Sequence, residues 1–231
     1  MPSFNVQIKN LTLKNPIITA SGTYGYGLEF LDYYDVNLLG GITLKGLSLN
    51  PKRGNPVPRI AESASGMLNA IGLENVGLKK FQEEKLPLIQ QKLNNTMVIS
   101  NIFGNTLEEY GEICEKIDNL EGIHAIEINI SCPNVKAGGI VFGQDPALAQ
   151  SVIALTRKKI KNKVMIVKLS PNVTDIAQFA LVAQEEGADA VSLINTLKGM
   201  AIDKKTKKPL LYNITGGLWT CHKTYCFTHG L

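Results

Sequence analysis

The feature that most constrains this chain is an alternation: short, apolar, β-rich runs that each end on a polar side chain, separated by stretches with helical periodicity. Six runs carry it: Pro16–Ser21, Gly41–Lys45, Met97–Asn101, Ala125–Asn129, Val164–Lys168 and Ala190–Asn195. Helix signals lie between them. Thr106 with Glu109 makes a capping box, and Leu107, Tyr110, Ile113, Cys114 and Ile117 then share one helical face, which places Cys114 in the core. Asp145 followed by Pro146 reads as a cap and a first helical position leading into Leu148, Val152 and Leu155. A third helix follows Thr174, with Ile176, Phe179, Ala180 and Ala183 on one face and Gly187 ending it in the left-handed region.

Strands alternating with helices imply a parallel sheet, and near-continuous apolar strands imply burial on both faces. A doubly wound sheet wants a glycine fingerprint after its first strand. Gly22-Thr23-Tyr24-Gly25-Tyr26-Gly27 is glycine-rich, but its spacing differs and no helix is evident directly after it. A (β/α)8 barrel instead gathers its site at the carboxyl ends of many strands, where Ser21, Lys45, Asn101, Asn129, Lys168 and Asn195 lie. The expected fold is therefore α/β, a (β/α)8 barrel with about six of its eight βα units present. The Pro- and Gly-bearing interval from Leu47 to Thr96 is expected to form a loop over the barrel mouth.

Composition narrows the partners. The 231 residues are 44% hydrophobic, enough for a substantial core, and 24 Lys+Arg against 20 Asp+Glu leave only +4, too weak to argue for nucleic acid or a membrane surface. Much of the excess is local, in Asp203-Lys204-Lys205-Thr206-Lys207-Lys208. The amino terminus lacks a signal-peptide pattern and no apolar run reaches the ~18 residues of a membrane span, so a cytoplasmic protein is expected. Four Cys are too sparse for a disulfide framework.

The densest chemical signal follows the fourth run, Asn129-Ile130-Ser131-Cys132-Pro133-Asn134-Val135-Lys136-Ala137-Gly138-Gly139. A thiol on a loop at the active end of a barrel can act as base or nucleophile, although a lone Cys is more often an inert apolar residue. A Cys/His pair is not available: His124 precedes the same strand, and eight extended residues at roughly 3.3 Å each put it about 25 Å from Cys132. Lys45 and Lys168 add positive charge where the barrel opens, a costly place for an ammonium unless something anionic meets it. With amides at Asn69, Asn129, Asn134 and Asn195, the set suits a small planar ligand bearing imide, amide or carboxylate groups.

Asn69–Leu73, Asn129–Asn134, Lys136–Gly139, Phe142-Gly143, Val167–Pro171 and Leu193–Thr196, several separate motifs in the right order, closely resemble those of dihydroorotate dehydrogenases, over the first residues to about Leu218. The form resembled is the NAD-linked one. The resemblance implies oxidation of dihydroorotate to orotate in pyrimidine synthesis, with FMN as hydride acceptor and electrons passed to NAD through an iron–sulfur flavoprotein subunit that carries FAD and a 2Fe-2S cluster. It implies a homodimer of catalytic subunits within a heterotetramer. Cys132 would be the base that removes the C5 proton. Lys45 would touch substrate and flavin, Lys168 would stabilise negative charge on the reduced ring, and Ser21, Gly46, Asn101, Asn129 and Ile194 would line FMN. Asn69, Ala70, Ile71, Gly72, Leu73, Asn129, Asn134, Asn195 and Thr196 would hold orotate. The fumarate-linked form is the alternative within the family, and a catalytically silent product the alternative outside it.

The end of the chain departs from the pattern. Residues 219–231 hold the only Trp, two of the four Cys and two of the three His, and where the family continues with two more strands this chain has Trp219 to Leu231. Cys221, His222, Cys226 and His229 match no standard zinc-finger spacing, so no metal is expected. A permitted codon spelling of these residues, shifted by one base, reads Gly-Pro-Ala-Ile-Lys-Pro-Ile-Ala-Leu-Arg-Met-Val, which resembles the family's continuation. The expected division is a partial-barrel FMN and dihydroorotate domain, 1–218, and an aberrant tail, 219–231, produced by a frameshift. The first and sixth strands are then expected to be open edges, with little or no activity in this chain.

Overall fold

A computed structural model describes residues 4–64, 66–131 and 142–219, and the backbone of 225–228. In chain order the strands and helices are β1 (Val6–Ile8), β2 (Leu11–Leu13), β3 (Ile18–Thr19), β4 (Gly41–Thr43), β5 (Ile60–Ser63), β6 (Gly66–Asn69), α1 (Leu78–Lys80), α2 (Leu86–Lys92), β7 (Met97–Ile102), α3 (Leu107–Asp118), β8 (Ala125–Asn129), α4 (Pro146–Lys159), β9 (Val164–Lys168), α5 (Ile176–Glu185), β10 (Ala190–Leu193), β11 (Leu197–Gly199), β12 (Gly216–Trp219) and β13 (Tyr225–Thr228).

The six apolar runs are the six parallel strands, in the order β3-β4-β7-β8-β9-β10. The sheet is curled, as side chains on its inner face show. Strands two apart in a flat sheet stand roughly 10 Å from each other, yet the Ser192 hydroxyl of β10 donates to Glu127 Oε2 of β8 at 2.7 Å. Only a concave sheet brings those side chains together, and the architecture is an incomplete (β/α)8 barrel.

Strand alternation sorts the side chains into two sets. Ile42, Leu44, Val98, Ile102, Ile126, Ile128, Met165 and Val167 point outward into one core shared with the helices. Ile99, Ala125, Val164, Ile166 and Ala190 point inward and pack under the β1–β2 hairpin, whose Ile8, Leu11 and Leu13 plug the amino end of the barrel. Further along the same inward rows come Asn101, Glu127, Asn129, Lys168 and Ser192, all buried. The interior is thus apolar at the amino end and polar at the carboxyl end.

The helix signals act as expected, with small shifts. Thr106 Oγ1 accepts from Glu109 N at 3.2 Å, but the Glu109 carboxylate returns to Asn105 N at 2.6 Å, not to the cap residue itself. Asp145 caps α4 through Leu148 N at 2.9 Å. The third helix is capped by Asp175, whose carboxylate accepts from Ala177 N at 2.9 Å, and Gly187 ends it at φ +81°. Cys114 is fully buried on α3, and that burial pushes its thiol far up.

Two expectations need correction. The Leu47–Thr96 interval is structured: it carries the β5–β6 hairpin and the helical stretch of α1, a π-helical turn over Phe81–Lys85, and α2. The hairpin joins β11 and β12 in a four-stranded antiparallel sheet, order β11-β12-β6-β5, through contacts between chain segments too distant in sequence for local reading. The sixth strand is also not an open edge, because β13 runs antiparallel along β10 with Ala190 opposite Thr228 and Leu193 opposite Tyr225. The first strand, β3, stays at the end of the strand order among the described residues.

Candidate active site at the carboxyl end of the barrel

The polar rows meet on Glu127. Within β8 its position puts it on the same face as Asn129, and its carboxylate is buried. Asn101 Nδ2 of β7 donates to Oε1 at 2.6 Å and Ser192 Oγ of β10 to Oε2 at 2.7 Å. Lys168 Nζ of β9 stands 3.9 Å from Oε1, with both side chains only 5% exposed. Sequence reasoning missed Glu127. Its signal was present, since a carboxylate inside an apolar strand buried on both faces needs a partner. It also supplies the anion that a buried Lys168 requires.

Asn101 uses only one end of its amide. Its amide nitrogen is spent on Glu127, while Oδ1 is buried without a hydrogen-bond partner among the described residues. An acceptor in that state costs free energy unless a donor arrives. Gly46 lies against it: a Cβ there would come within 3.0 Å of Asn101 Oδ1. The missing side chain leaves backbone and amide oxygen at the same wall.

A second group forms above β8 and β10. Asn129 is buried; its Oδ1 accepts from Asn195 Nδ2 at 3.1 Å and Ser131 N at 3.2 Å, and its backbone carbonyl takes the Tyr110 hydroxyl at 2.7 Å. Asn195 Oδ1 accepts from Thr196 N at 2.8 Å, and Asn172, also unanticipated, donates to Thr196 O at 3.0 Å. Gly217 on β12 passes so close to Thr196 that a Cβ would overlap its hydroxyl at 2.2 Å. Asn69 Nδ2 donates to Gly217 O at 3.2 Å. Asn69 and the Asn195-Thr196 pair, far apart in sequence, are therefore drawn together around one strand.

The remaining expected residues are placed less centrally. The Ser21 hydroxyl donates to Leu44 O at 2.8 Å. Ala70 N donates to Arg59 O at 2.7 Å, Ile71 O accepts from Asn55 N at 3.0 Å, and Gly72 and Leu73 follow at φ +76° and +59°, a left-handed pair that reverses the chain. Ile194 follows β10, and the Leu193–Ile194 peptide is cis. Lys45 is half-buried, makes no ion pair among the described residues, and lines a cavity of about 490 Å³ with Tyr26, Lys52, Arg53, Glu74 and Asn75. Cys132 and Asn134 lie outside the described residues. His124 is at the other end: its Nδ1 accepts from Val98 N at 3.0 Å where β8 begins, and burial, chiefly, lowers its pKa.

An incomplete parallel barrel with a buried lysine, a carboxylate and oriented amides at its carboxyl end has the architecture of the barrel class of enzymes, whose sites lie at that end. A family model described as dihydroorotate dehydrogenase matches residues 3–220, and the chain belongs to that family. Over 217 residues it is 57% identical to a protein of Citrifermentans bemidjiense named dihydroorotate dehydrogenase B (NAD(+)), catalytic subunit, covering 94% of this chain and 70% of that relative. Identically named proteins of Geobacter sulfurreducens and Trichlorobacter lovleyi are 56% and 53% identical over the same shares.

Proposed function

We propose that this chain oxidises dihydroorotate to orotate in pyrimidine biosynthesis. The observation that carries the reading is the inward-facing Asn101–Glu127–Lys168–Ser192 set beneath Asn129 and Asn195, in a chain so similar to NAD-linked catalytic subunits. The residues fit FMN, because the buried Asn101 Oδ1 beside Gly46, without a partner among the described residues, calls for a ligand donor. FMN, when bound, supplies the acceptor for the hydride that leaves C6 of the substrate. Ser21, Lys45, Gly46, Asn101, Asn129, Lys168 and Ile194 would hold it.

Cys132 takes the C5 proton. Lys45 and Lys168 supply positive charge where negative charge collects, which preorganised cations do without reorganisation at the moment of reaction. Asn69 to Leu73, Asn129, Asn134, Asn195 and Thr196 orient the flat anion, each amide offering a donor and an acceptor.

The relatives' name, catalytic subunit, supports a partner subunit. In our reading that partner is an iron–sulfur flavoprotein bearing FAD and a 2Fe-2S cluster, which passes electrons to NAD, in a cytoplasmic heterotetramer built on a catalytic homodimer. Among the described residues no helix is long and apolar enough to cross a membrane. Residues 1–218 form the functional domain of this reading and 219–231 a foreign tail; sequencing the gene through the Leu218 codon tests that division. The function is tested by the absorption spectrum of the purified chain with added FMN and by orotate formation from dihydroorotate. The little or no activity expected of a chain with an open sixth strand loses that ground where β13 covers β10, so saturable flavin uptake with orotate produced is the expected result; a chain that takes up no FMN and makes no orotate overturns it.

A further inference from the structure

The buried carboxylate of Glu127 has no role among the residues that would touch substrate or flavin. Its geometry nevertheless controls two of them. Its close hydrogen bonds, 2.6 and 2.7 Å, go to neutral donors on Asn101 and Ser192, whereas Lys168 stands at 3.9 Å, the outer limit of an ion pair. A carboxylate tethered on both oxygens by neutral groups can offset part of a neighbouring ammonium's charge without capturing it. The same bond to Asn101 Nδ2 fixes that amide with Oδ1 turned toward Gly46.

We propose that Glu127 is a positioning residue: it offsets part of the charge of Lys168 while leaving the ammonium free to face a ligand's negative charge, and holds Asn101 with its oxygen presented to a ligand N–H. This rests on the function proposed above and adds to it the residue that sets how much positive charge the site offers. Glu127 acts through Lys168, so its effect on anion binding must vanish when Lys168 is gone. Ser192, by occupying Oε2, keeps the carboxylate from closing on the ammonium.

The test compares the unaltered chain with Glu127→Gln, Lys168→Met and the double variant, measuring orotate affinity and the midpoint potential of bound FMN. Removing the carboxylate's charge leaves Lys168 uncompensated. Glu127→Gln is expected to tighten orotate about tenfold and to favour reduced flavin about tenfold, about 30 mV more positive for a two-electron couple. In the Lys168→Met background it should change neither. A residue with only a structural role would weaken binding of both ligands. Unchanged or weakened orotate binding, or the same gain without Lys168, overturns the proposal.

Urea unfolding midpoints of the same four chains give a ligand-free cycle. Non-additive midpoints are expected and additive ones overturn the pairing. If the unaltered chain takes up neither FMN nor orotate, the proposed function falls while this cycle still decides the pairing. Should Glu127→Gln fail to fold, Ser192→Ala frees Oε2 to compete for Lys168 and should weaken orotate several-fold; no change there overturns the proposal.

Discussion

The two ends of this barrel are built from the same strands and treat polar groups in opposite ways. At the amino end, Ile8, Leu11 and Leu13 of the hairpin seal an apolar layer, and the charges beside it are paired. Asp189 there meets Lys9 at 2.8 Å and Arg157 at 3.1 Å and accepts from Met165 N at 2.8 Å. Asp118 accepts from the backbone of Lys161, Asn162 and Lys163 and from the Asn162 side chain, all within 3.1 Å. At the carboxyl end Asn101 keeps an unpartnered oxygen, Lys168 stands at the limit of its ion pair, and Lys45 has no carboxylate partner among the described residues. At one end the charged side chains find partners within the chain; the other leaves charged and amide groups for a ligand to satisfy.

If that division is real, substitutions at the two ends should separate activity from stability. The largest effect is expected at Cys132. Cys132→Ala should slow flavin reduction by dihydroorotate about 10²–10⁴-fold, the usual contribution of a general base, with orotate affinity and unfolding midpoint nearly unchanged. Stopped-flow absorbance of the flavin reads this, and an undiminished rate would assign the proton to another group.

Leu13→Ala, in the fully buried hairpin plug, should cost about 3 kcal/mol in urea unfolding while leaving the ligand affinity of the folded chain intact. A loss of affinity at full folding would mean that the two ends are coupled.

Asp189→Asn should cost about 2 kcal/mol near pH 7, between the values for exposed and buried pairs. Burial alone would raise the Asp189 pKa, but hydrogen bonds from Lys9 and Met165 N and the charges of Lys9 and Arg157 together hold it below the usual carboxylate range. A depressed acid contributes stability that is present above the unfolded-state pKa, near 3.8, and is lost as pH falls through the folded value. The variant should therefore flatten the stability curve below about pH 4; an unchanged acid limb would exclude this pair as its source. The smallest effect belongs to Thr106→Ala, about 1 kcal/mol from loss of a helix cap, seen as a lowered thermal midpoint without change in ligand binding.

Much of this was legible in the sequence because it is local. The six runs became the six parallel strands, and Thr106, Asp145-Pro146 and Gly187 punctuate helices as their chemistry requires. The polar strand ends were visible too. Less visible were features that need a neighbour: the Glu127 network spans β7, β8, β9 and β10, and Asn69 reaches Gly217 across 148 positions. The β1–β2 hairpin was also not anticipated; its strands are only three residues each, too short for periodicity to register.

By itself, the sequence determined which segments are strands and helices, which face of each is apolar, and that polar side chains stand at the strand ends, since those follow from hydrophobic period and capping within a few residues. Only the tertiary structure decided that the sheet curls enough for β8 and β10 to share a hydrogen bond, that a carboxylate stands beside the buried lysine, and that β13 covers the sixth strand. Curvature and pairing between distant segments depend on how whole strands pack and twist against one another, and no local window of residues contains that information.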